Sequence, residues 1–369
     1  MDADLLLVLV VGTALAFDFT NGFHDTANVV ATSISTRALR PRAAIGLAAI
    51  LNFVGAFLSL AVAATIASGI VDAGAVTQPV IFAGLVGAIV WNLVTWYFGL
   101  PSSSSHALIG GVVGAVLVSH GPDAVIGEGL LGKVIIPALV APVLAFGVAG
   151  LGILVAYRVV GRQRPGPVAR GFRAGQIVSG GLLALAHGTN DAQKTMGVIT
   201  LALVAHGSLP AADPQVPIWV VVASASAIAL GTYSGGWRII RTMGSRIIKM
   251  DPAQGFVAQG SGAAVILAAT HAGFPLSTTH VISGAVMGAG AAKRLSAVRW
   301  GLAGNILIAW LLTLPMAGAT GAVVYAFSSI FGSGATGPVI IAALLVTGLV
   351  LLSIVRMRQA SAMPEPEPA

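Results

Sequence analysis

Cysteine is absent from this sequence, and charged residues are scarce. The chain of 369 residues contains 0 cysteines, and only 8% of its residues are charged. Neither disulfide bonds nor thiolate metal ligands are therefore available. Hydrophobic residues make up 56% and the mean hydropathy is +0.94, beyond the range of soluble domains. Apolar runs of about 18 or more residues recur, each long enough to cross a hydrocarbon core of about 30 Å, and they predict an all-α polytopic membrane protein.

Positive charge is confined to short loops. A net charge of +7 would suit nucleic acid, but the basic residues cluster between apolar runs, as the positive-inside rule predicts for cytoplasmic loops. They are Arg37, Arg40, Arg42, Arg158, Arg162, Arg164, Arg170, Arg173, Arg238, Arg241, Arg246, Lys249, Lys293, Arg294, Arg299, Arg356 and Arg358. The intervening loops carry Asp72, Asp123, Glu128 and Asp213, with Lys133 as their only strong base. The pattern excludes nucleic acid as a partner and predicts contact with the lipid bilayer.

Loop charge also divides the chain into two halves of opposite orientation. The first apolar run, Leu5–Ile34, is followed by a basic loop, whereas its counterpart, Ala174–Ala205, is followed by a loop without Lys or Arg. This difference predicts two inverted-topology repeats, with about 10–12 membrane segments in all. The predicted units are a first repeat at 1–160, a basic cytoplasmic linker at 161–173, a second repeat at 174–330, and an extra span with a disordered tail at 331–369.

Polar residues interrupt several apolar runs. The stretch Asp18–Asn28 lies inside the first run and predicts a broken helix, and the second half has the same pattern. The stretch Val80–Val118 fits either two full crossings or a re-entrant hairpin. We favour the hairpin because its tip, Pro101–His106, is rich in hydroxyl groups and suits a buried polar cavity.

A Ser/Thr motif occurs once in each half. Pro101–His106 matches Pro275–His280, and each has a proline and small hydroxyl residues before an apolar run, as at the start of a helix. Free N–H groups, the helix dipole and hydroxyls together form an anion site. Two such termini facing each other would surround a tetrahedral anion with donors. The candidate residues are Ser103, Ser104, Ser105, Ser277, Thr278 and Thr279.

An acidic motif is likewise duplicated. Gly22–Asn28 matches Gly188–Lys194, which places Asp25 and Asp191 within apolar runs. A carboxylate there costs about 2.5–3.5 kcal/mol unless a cation compensates it. Symport of an anion with a cation would explain why an anion site and an acidic motif occur together. The carboxylate, amide and hydroxyl oxygens would then bind sodium, protons or a divalent metal. The candidate ion-coupling residues are Asp25, Asp191, Asn28, Asn190, His24, Lys194 and Thr26, with Asp25 and Asp191 as metal ligands.

Structural pairing is the alternative for both carboxylates, with His24, His187 or Lys194 as partners. Asp18 lies two helical turns before Asp25 on the same face, where it either joins the ion path or pairs with a distant base. Among the histidines, His24 has the strongest case for a proton role because it adjoins a carboxylate and titrates near neutral pH.

At these residues the chain resembles the inorganic phosphate transporter family, Pit. The resemblance covers nearly the whole chain and rests on Asn21–Asn28, Ala186–Lys194 and Pro275–His280. It implies inverted repeats in a cytoplasmic membrane and symport of inorganic phosphate. By position it also implies ion binding at Asp25, Asn28, Asn190 and Asp191, and phosphate binding at Ser104, Ser105, Thr278 and Thr279.

Two positions depart from the sodium-coupled members of that family. Where those members have Asn, this chain has His24 before the first Asp and Lys194 three residues after the second. The pattern resembles the bacterial low-affinity branch, which implies uptake with protons, with a neutral metal–phosphate complex as a further option. We therefore predict H+ as the coupling ion and no cofactor. Sodium coupling, co-transport of a divalent metal and another oxyanion such as sulfate remain the alternatives.

Other functional classes fit less well. Broken helices and paired acidic sites favour alternating access over a channel. An intramembrane hydrolase is disfavoured because adjacent Ser105 and His106 point about 100° apart on one helix. No P-loop is present, which argues against a nucleotide as partner. The chain is predicted not to be an enzyme, and the sequence leaves homo-oligomer formation open.

Overall fold

The protein is built almost entirely of helices. A computed structural model describes residues 2–361, and an isolated bridge between Val71 and Val125 is the extended pairing found among them. The α-helices of five or more residues in this part of the chain are α1 Asp2–Ser35, α2 Pro41–Gly55, α3 Ala61–Ser68, α4 Gln78–Phe98, α5 Ser104–His120, α6 Ile136–Val160, α7 Pro165–His206, α8 Ile218–Ser234, α9 Trp237–Arg241, α10 Pro252–His271, α11 Thr278–Lys293, α12 Trp300–Ser329 and α13 Thr336–Ser361. The all-α prediction is confirmed.

The helices occur in the same order in both halves. Each half begins with a long helix that carries an acidic motif, α1 or α7. A pair of helices separated by a break follows, α2–α3 or α8–α9, and then a hairpin, α4–α5 or α10–α11. A long helix, α6 or α12, completes the unit, and α13 follows the second unit. Opposite orientation of the two units stays a prediction.

Packing between the halves is reciprocal. Helix α5 packs against α12, and its counterpart α11 packs against α6. Gly114 on α5 lies so close to α12 that an added Cβ would be 2.0 Å from the carbonyl oxygen of Gly318. The matching Gly288 on α11 would place a Cβ 2.1 Å from the carbonyl oxygen of Phe146 on α6. Small residues at such contacts let membrane helices approach closely, so each half depends on the other for its hairpin contacts.

The predicted breaks within the two long helices are not observed. Both α1 and α7 run without interruption through their acidic motifs, because the polar side chains there find partners on neighbouring helices. The motif glycines serve packing: an added Cβ at Gly22 would lie 2.4 Å from the carbonyl oxygen of Ile228, and one at Gly188 2.1 Å from that of Asn52. The breaks lie instead between α2 and α3, between α8 and α9, where the axis bends by 59°, and at the hairpin tips.

The predicted linker at 161–173 overlaps the start of a helix. Helix α7 begins at Pro165, so most of the 161–173 segment is its first turns, which a proline at the first helical position favours. Four helices of the described chain are long and apolar enough to cross a membrane, and the bent α8–α9 pair would make five. The predicted disordered tail falls largely outside the described residues.

Both hairpin tips are enclosed by protein. Ser102 to Ser105 between α4 and α5, and Ser277 to Thr279 between α10 and α11, are all buried. A solvent turn between two full crossings would be exposed, so this burial favours the re-entrant hairpin. Each tip brings the first turn of a helix, α5 or α11, towards the middle of α1 and α7.

Substitution of Gly114 tests the packing between α5 and α12. Gly114→Ala is expected to lower the midpoint of thermal unfolding in detergent, because overpacking costs about 1–3 kcal/mol. Gly147→Ala on α6 is the matched control, since no heavy atom lies within 4 Å of an added Cβ there. Equal midpoints for both variants would show that the α5–α12 contact is looser than described.

Candidate functional site

The two motif carboxylates lie in the interior of the molecule, and both contact the hydroxyl of one threonine. Thr278 Oγ1 is 3.3 Å from Asp25 Oδ2 and 3.2 Å from Asp191 Oδ2. Thr278 is the first residue of α11, so a helix N-terminus points at both acids. All three side chains are buried. Both halves therefore contribute to a single composite site, as the duplicated motifs predict.

Hydroxyl and imidazole groups surround Asp25. His24 Nδ1 lies 2.6 Å from Asp25 Oδ1. Ser104 Oγ and Thr279 Oγ1 donate to the same oxygen at 3.3 and 3.4 Å. The other ring nitrogen of His24 is 3.1 Å from Thr95 Oγ1, which fixes the orientation of the imidazole. Asp25 is thus held by hydroxyl donors and by one imidazole.

An ammonium group compensates Asp191. Lys194 Nζ donates to Asp191 Oδ1, to Ser105 Oγ and, at 2.8 Å, to the carbonyl oxygen of Leu276. Lys194 is only 1% exposed, and three acceptors match the three protons of an ammonium. His187 Nε2 lies 3.0 Å from Asp191 Oδ2. Asp191 therefore has a permanent cation beside it, unlike Asp25.

The last residue of each acidic motif reaches the Ser/Thr motif of the other half. Asn28 Nδ2 donates to Thr279 Oγ1 at 2.8 Å, and Lys194 at the equivalent position donates to Ser105. Ser105 and Thr279 are themselves equivalent positions of the two Ser/Thr motifs. The same side-chain contact thus occurs in both halves, made by a neutral amide in one and by a charged amine in the other.

Ser103 and Ser277 have a local role in the structure. Ser103 Oγ accepts a hydrogen bond from the backbone N–H of His106 at 3.1 Å, and Ser277 Oγ accepts one from that of His280 at 3.2 Å. Each serine is thus the N-cap of its helix. The capped helices α5 and α11 then present Ser104, Ser105, Thr278 and Thr279 in their first turns.

Two other predicted residues turn away from the carboxylates. Thr26 Oγ1 donates to the carbonyl oxygen of Gly22 at 2.6 Å, one turn back along α1. Asn190 Nδ2 donates to Thr270 Oγ1 at 2.7 Å, much as His24 lies against Thr95 in the first half. The contact between the residue preceding each motif Asp and a threonine of the hairpin is therefore also repeated.

Several residues of the site were not among the candidates. His187 contacts Asp191, and Thr95, Ser102 and the Leu276 carbonyl complete the surroundings of His24 and Lys194. The sequence indicated His187, one helical turn before Asp191, only as a structural partner of a carboxylate. The others are joined to the motifs only through tertiary packing.

Three side chains of the site could share a metal ion. One ligand atom each from Asp25, His187 and Asp191 lies within 4.8 Å of the others, and all three residues are buried. Carboxylate and imidazole ligands suit several divalent metals. The prediction of Asp25 and Asp191 as ligands thus gains a third residue of compatible chemistry.

The motif histidines His106 and His280 lie behind the site. Their ring centroids are 4.8 Å apart, and His280 stacks on Trp310 with a centroid distance of 4.0 Å. Equivalent residues of the two Ser/Thr motifs therefore contact each other directly. This contact supports a pseudo-twofold relation between the halves.

A helical membrane protein with two related halves, whose helix N-termini and compensated carboxylates meet in a buried site, has the architecture of a membrane transporter. A model of the phosphate transporter family matches residues 21–321. The chain belongs to the phosphate transporter family.

Proteins similar in sequence to this chain include several from bacteria. A probable low-affinity inorganic phosphate transporter of Mycobacterium tuberculosis (strain ATCC 25618 / H37Rv) is 55% identical, with 89% of this chain and 78% of that protein covered. A protein of the same description from Rhizobium meliloti (strain 1021) is 52% identical, over 88% and 98%. One from Bacillus subtilis (strain 168) is 46% identical, over 87% and 96%. These names confirm that the chain is a transporter and not an enzyme.

A solved structure shares the fold. It is described as the sodium-dependent phosphate transporter, and it superposes with a TM-score of 0.78 at 25% identity. The match covers 87% of this chain and 98% of that one. The fold class predicted from the sequence is confirmed by this neighbour.

Removal of the Lys194 ammonium tests the charge pairing. Lys194→Met is expected to destabilise the folded protein by about 3–5 kcal/mol, because it leaves the Asp191 carboxylate buried without its cation. The double variant Lys194→Met/Asp191→Asn should recover part of that loss. Unfolding of detergent-solubilised protein measures both effects.

Lys293→Met is the control for this comparison. Lys293 pairs with Asp251 at 3.1 Å and its side chain is 56% exposed, so its loss should change stability by about 1 kcal/mol or less. If the Lys194 single and double variants unfold alike, the ammonium does not compensate Asp191.

Proposed function

We propose that this phosphate transporter imports inorganic phosphate across the cytoplasmic membrane by symport with protons. The observation that carries the proposal is the contact of Lys194 Nζ with Asp191 and Ser105. A fixed ammonium stands where the sodium-coupled pattern has a neutral amide. It supplies locally the positive charge that a sodium ion would otherwise bring.

The central donors suit a tetrahedral anion. Ser104, Ser105, Thr278 and Thr279 lie in the first turns of α5 and α11, where the helix dipole favours negative charge. Lys194 Nζ and Asn28 Nδ2 already reach hydroxyls of this group. Phosphate oxygens would accept from the same donors.

The carboxylates make anion binding depend on a cation. Asp25 and Asp191 both contact Thr278, so an anion at these hydroxyls would lie beside two negative groups in a medium that screens charge poorly. A bound proton removes one of those charges. His24 lies 2.6 Å from Asp25, and imidazole is a side chain that proteins use to carry protons, which supports proton coupling.

Alternating access would follow from the paired halves. The helix order and the reciprocal packing of α5 on α12 and α11 on α6 support two repeats, and the loop charges favour opposite orientation. Movement of one repeat against the other would expose the central site to each side in turn. On this proposal, residues 1–160 and 174–330 are the moving units.

Ion gradients applied separately test the proposal. In proteoliposomes containing the purified protein, labelled phosphate should accumulate above its equilibrium level when the outside is acidic and sodium is equal on both sides. A sodium gradient at equal pH should add nothing, because Lys194 occupies the position of the cation. Transport driven only by sodium would contradict proton coupling.

Two controls separate the remaining alternatives. Accumulation against the phosphate gradient excludes a channel. Arsenate should compete with labelled phosphate, whereas effective competition by sulfate would indicate a broader oxyanion carrier.

Asp25→Asn should abolish the uptake while the variant still inserts and folds.

A metal–phosphate complex is a second candidate for the transported species. The observation that favours it is the cluster of Asp25, His187 and Asp191, whose ligand atoms lie within 4.8 Å of one another. A divalent cation bound to phosphate as cargo would reach both carboxylates and offset their charge. Phosphate oxygens would complete the coordination.

Metal removal tests this second candidate. If the complex is the substrate, a chelator such as EDTA should abolish phosphate uptake, and added Mn²⁺ should restore it with labelled metal entering alongside phosphate. His187→Gln should weaken the metal dependence more than a change at the exposed His120. Uptake unchanged by the chelator would show that phosphate travels without metal.

A further inference from the structure

Asp18 is a buried acid that the central site does not use. It lies on α1, two turns before Asp25, and is 0% exposed. Neither of its carboxylate oxygens has a hydrogen-bond partner in the described part of the chain. An isolated carboxylate at such a position requires a compensating group, since water cannot solvate it.

Two more oxygens without partners adjoin this carboxylate. Asn21 and Thr195 are the polar side chains close enough to interact with Asp18. Asn21 Oδ1 and Thr195 Oγ1 also lack hydrogen-bond partners, and both residues are buried. Four buried oxygens on α1 and α7 therefore converge, and the hydroxyl proton of Thr195 is the single donor that these four atoms hold. Such a set of acceptors fits a small cation.

Charged groups near Asp18 are already paired. Asp191 and Lys194 on α7 lie within electrostatic reach of Asp18, and they bind each other. Helices α4 and α8, which also pack on α1, contain no Asp, Glu, Lys or Arg. Arg42, Arg238, Arg241 and Lys293, on other helices packed on α1, are exposed. The side chains that the structure describes thus supply no free cation for Asp18.

The duplicated fold shows that Asp18 and Thr195 are not required for packing, whereas the third residue, Asn21, matches the polar His187. Counted from the matched Asp25 and Asp191, the second-half equivalent of Asp18 is Ala184, and the first-half equivalent of Thr195 is Val29. Ala184 and Val29 are both buried and belong to one hydrophobic cluster. The same place in the fold is therefore filled by apolar side chains in the other copy.

We infer that Asp18, Asn21 and Thr195 form a separate proton-binding site beside the phosphate site. A proton on one Asp18 oxygen would donate to Asn21 Oδ1, and the Thr195 hydroxyl would donate to the other oxygen. One proton thus gives every orphaned acceptor a partner. The predicted orientation places α1 with its N-terminus outside, so this site lies on the outer side of Asp25, and a proton taken from there is released inside with phosphate.

The inference rests on the proposed phosphate symport, and two reactions in proteoliposomes separate the two claims. One is accumulation of labelled phosphate driven by acid outside. The other is exchange of labelled for unlabelled phosphate at equal pH, which needs no net movement of protons. If wild-type protein performs neither reaction, the proposed function fails and not the assignment of Asp18 alone.

Neutral replacement of Asp18 should uncouple these reactions. Asp18→Asn is expected to reduce pH-driven accumulation to the level of empty liposomes while phosphate exchange persists. Asp123→Asn, at an exposed acid, should leave both reactions unchanged. Retained accumulation in Asp18→Asn would overturn the inference, and so would loss of exchange in the folded variant. Wild-type accumulation that follows sodium and is lost in Asp18→Asn would overturn the assignment to a proton.

A second variant separates the loss of proton coupling from misfolding. Asp18→Ala/Thr195→Val reproduces the apolar pair that the other half carries at Ala184 and Val29, and it should fold, exchange phosphate and lack pH-driven accumulation. Asp18→Glu should retain accumulation because the carboxyl group remains. If both neutral variants fail to fold, the polar trio is structural and the inference is wrong.

Discussion

Compensation of carboxylates that water cannot reach is the constraint on which this structure depends. Asp191 has its ammonium from Lys194, one turn further along the same helix, and Asp25 has His24 and three hydroxyls. The partners of Asp25 come from both halves, and Lys194, which pairs with Asp191 in its own half, also donates to Ser105 of the first half. The close approach of the helices is therefore a requirement of the charges as much as of apolar packing.

Glycine makes that approach possible. Gly22 and Gly188, inside the two acidic motifs, bring α8 against α1 and α2 against α7. With the helices at that distance, the polar side chains find partners across the interface, and the backbone hydrogen bonds of α1 and α7 need not open. Gly114 and Gly288 hold α5 and α11 in the same way. The polar centre and the glycine contacts thus support each other.

The sequence was sufficient to predict that the acidic and Ser/Thr motifs lie together in the fold, but not to predict all of their hydrogen bonds. Asp25, Asp191 and the Ser/Thr motifs could be brought together because duplicated polar residues in lipid require a shared site. The continuous helices were missed because Gly and polar residues signal a break only where no neighbour satisfies them. The exact bonds of Asn190 and Thr26 depend on tertiary neighbours such as Thr270, which spacing along the chain does not reveal.

At two pairs of matched positions, the two halves carry residues that differ in charge, and the internal repeat does not account for this difference. The fold tolerates a neutral amide or an amine at the last motif position, since Asn28 and Lys194 make the same contact in the two halves. It likewise tolerates alanine or aspartate at the positions of Ala184 and Asp18. Because either residue satisfies the packing, the charged choice in each pair reflects a demand other than folding. Transport that couples an anion to a cation creates such a demand, since a perfectly symmetric site would offer the two ions equivalent positions and give neither a defined place.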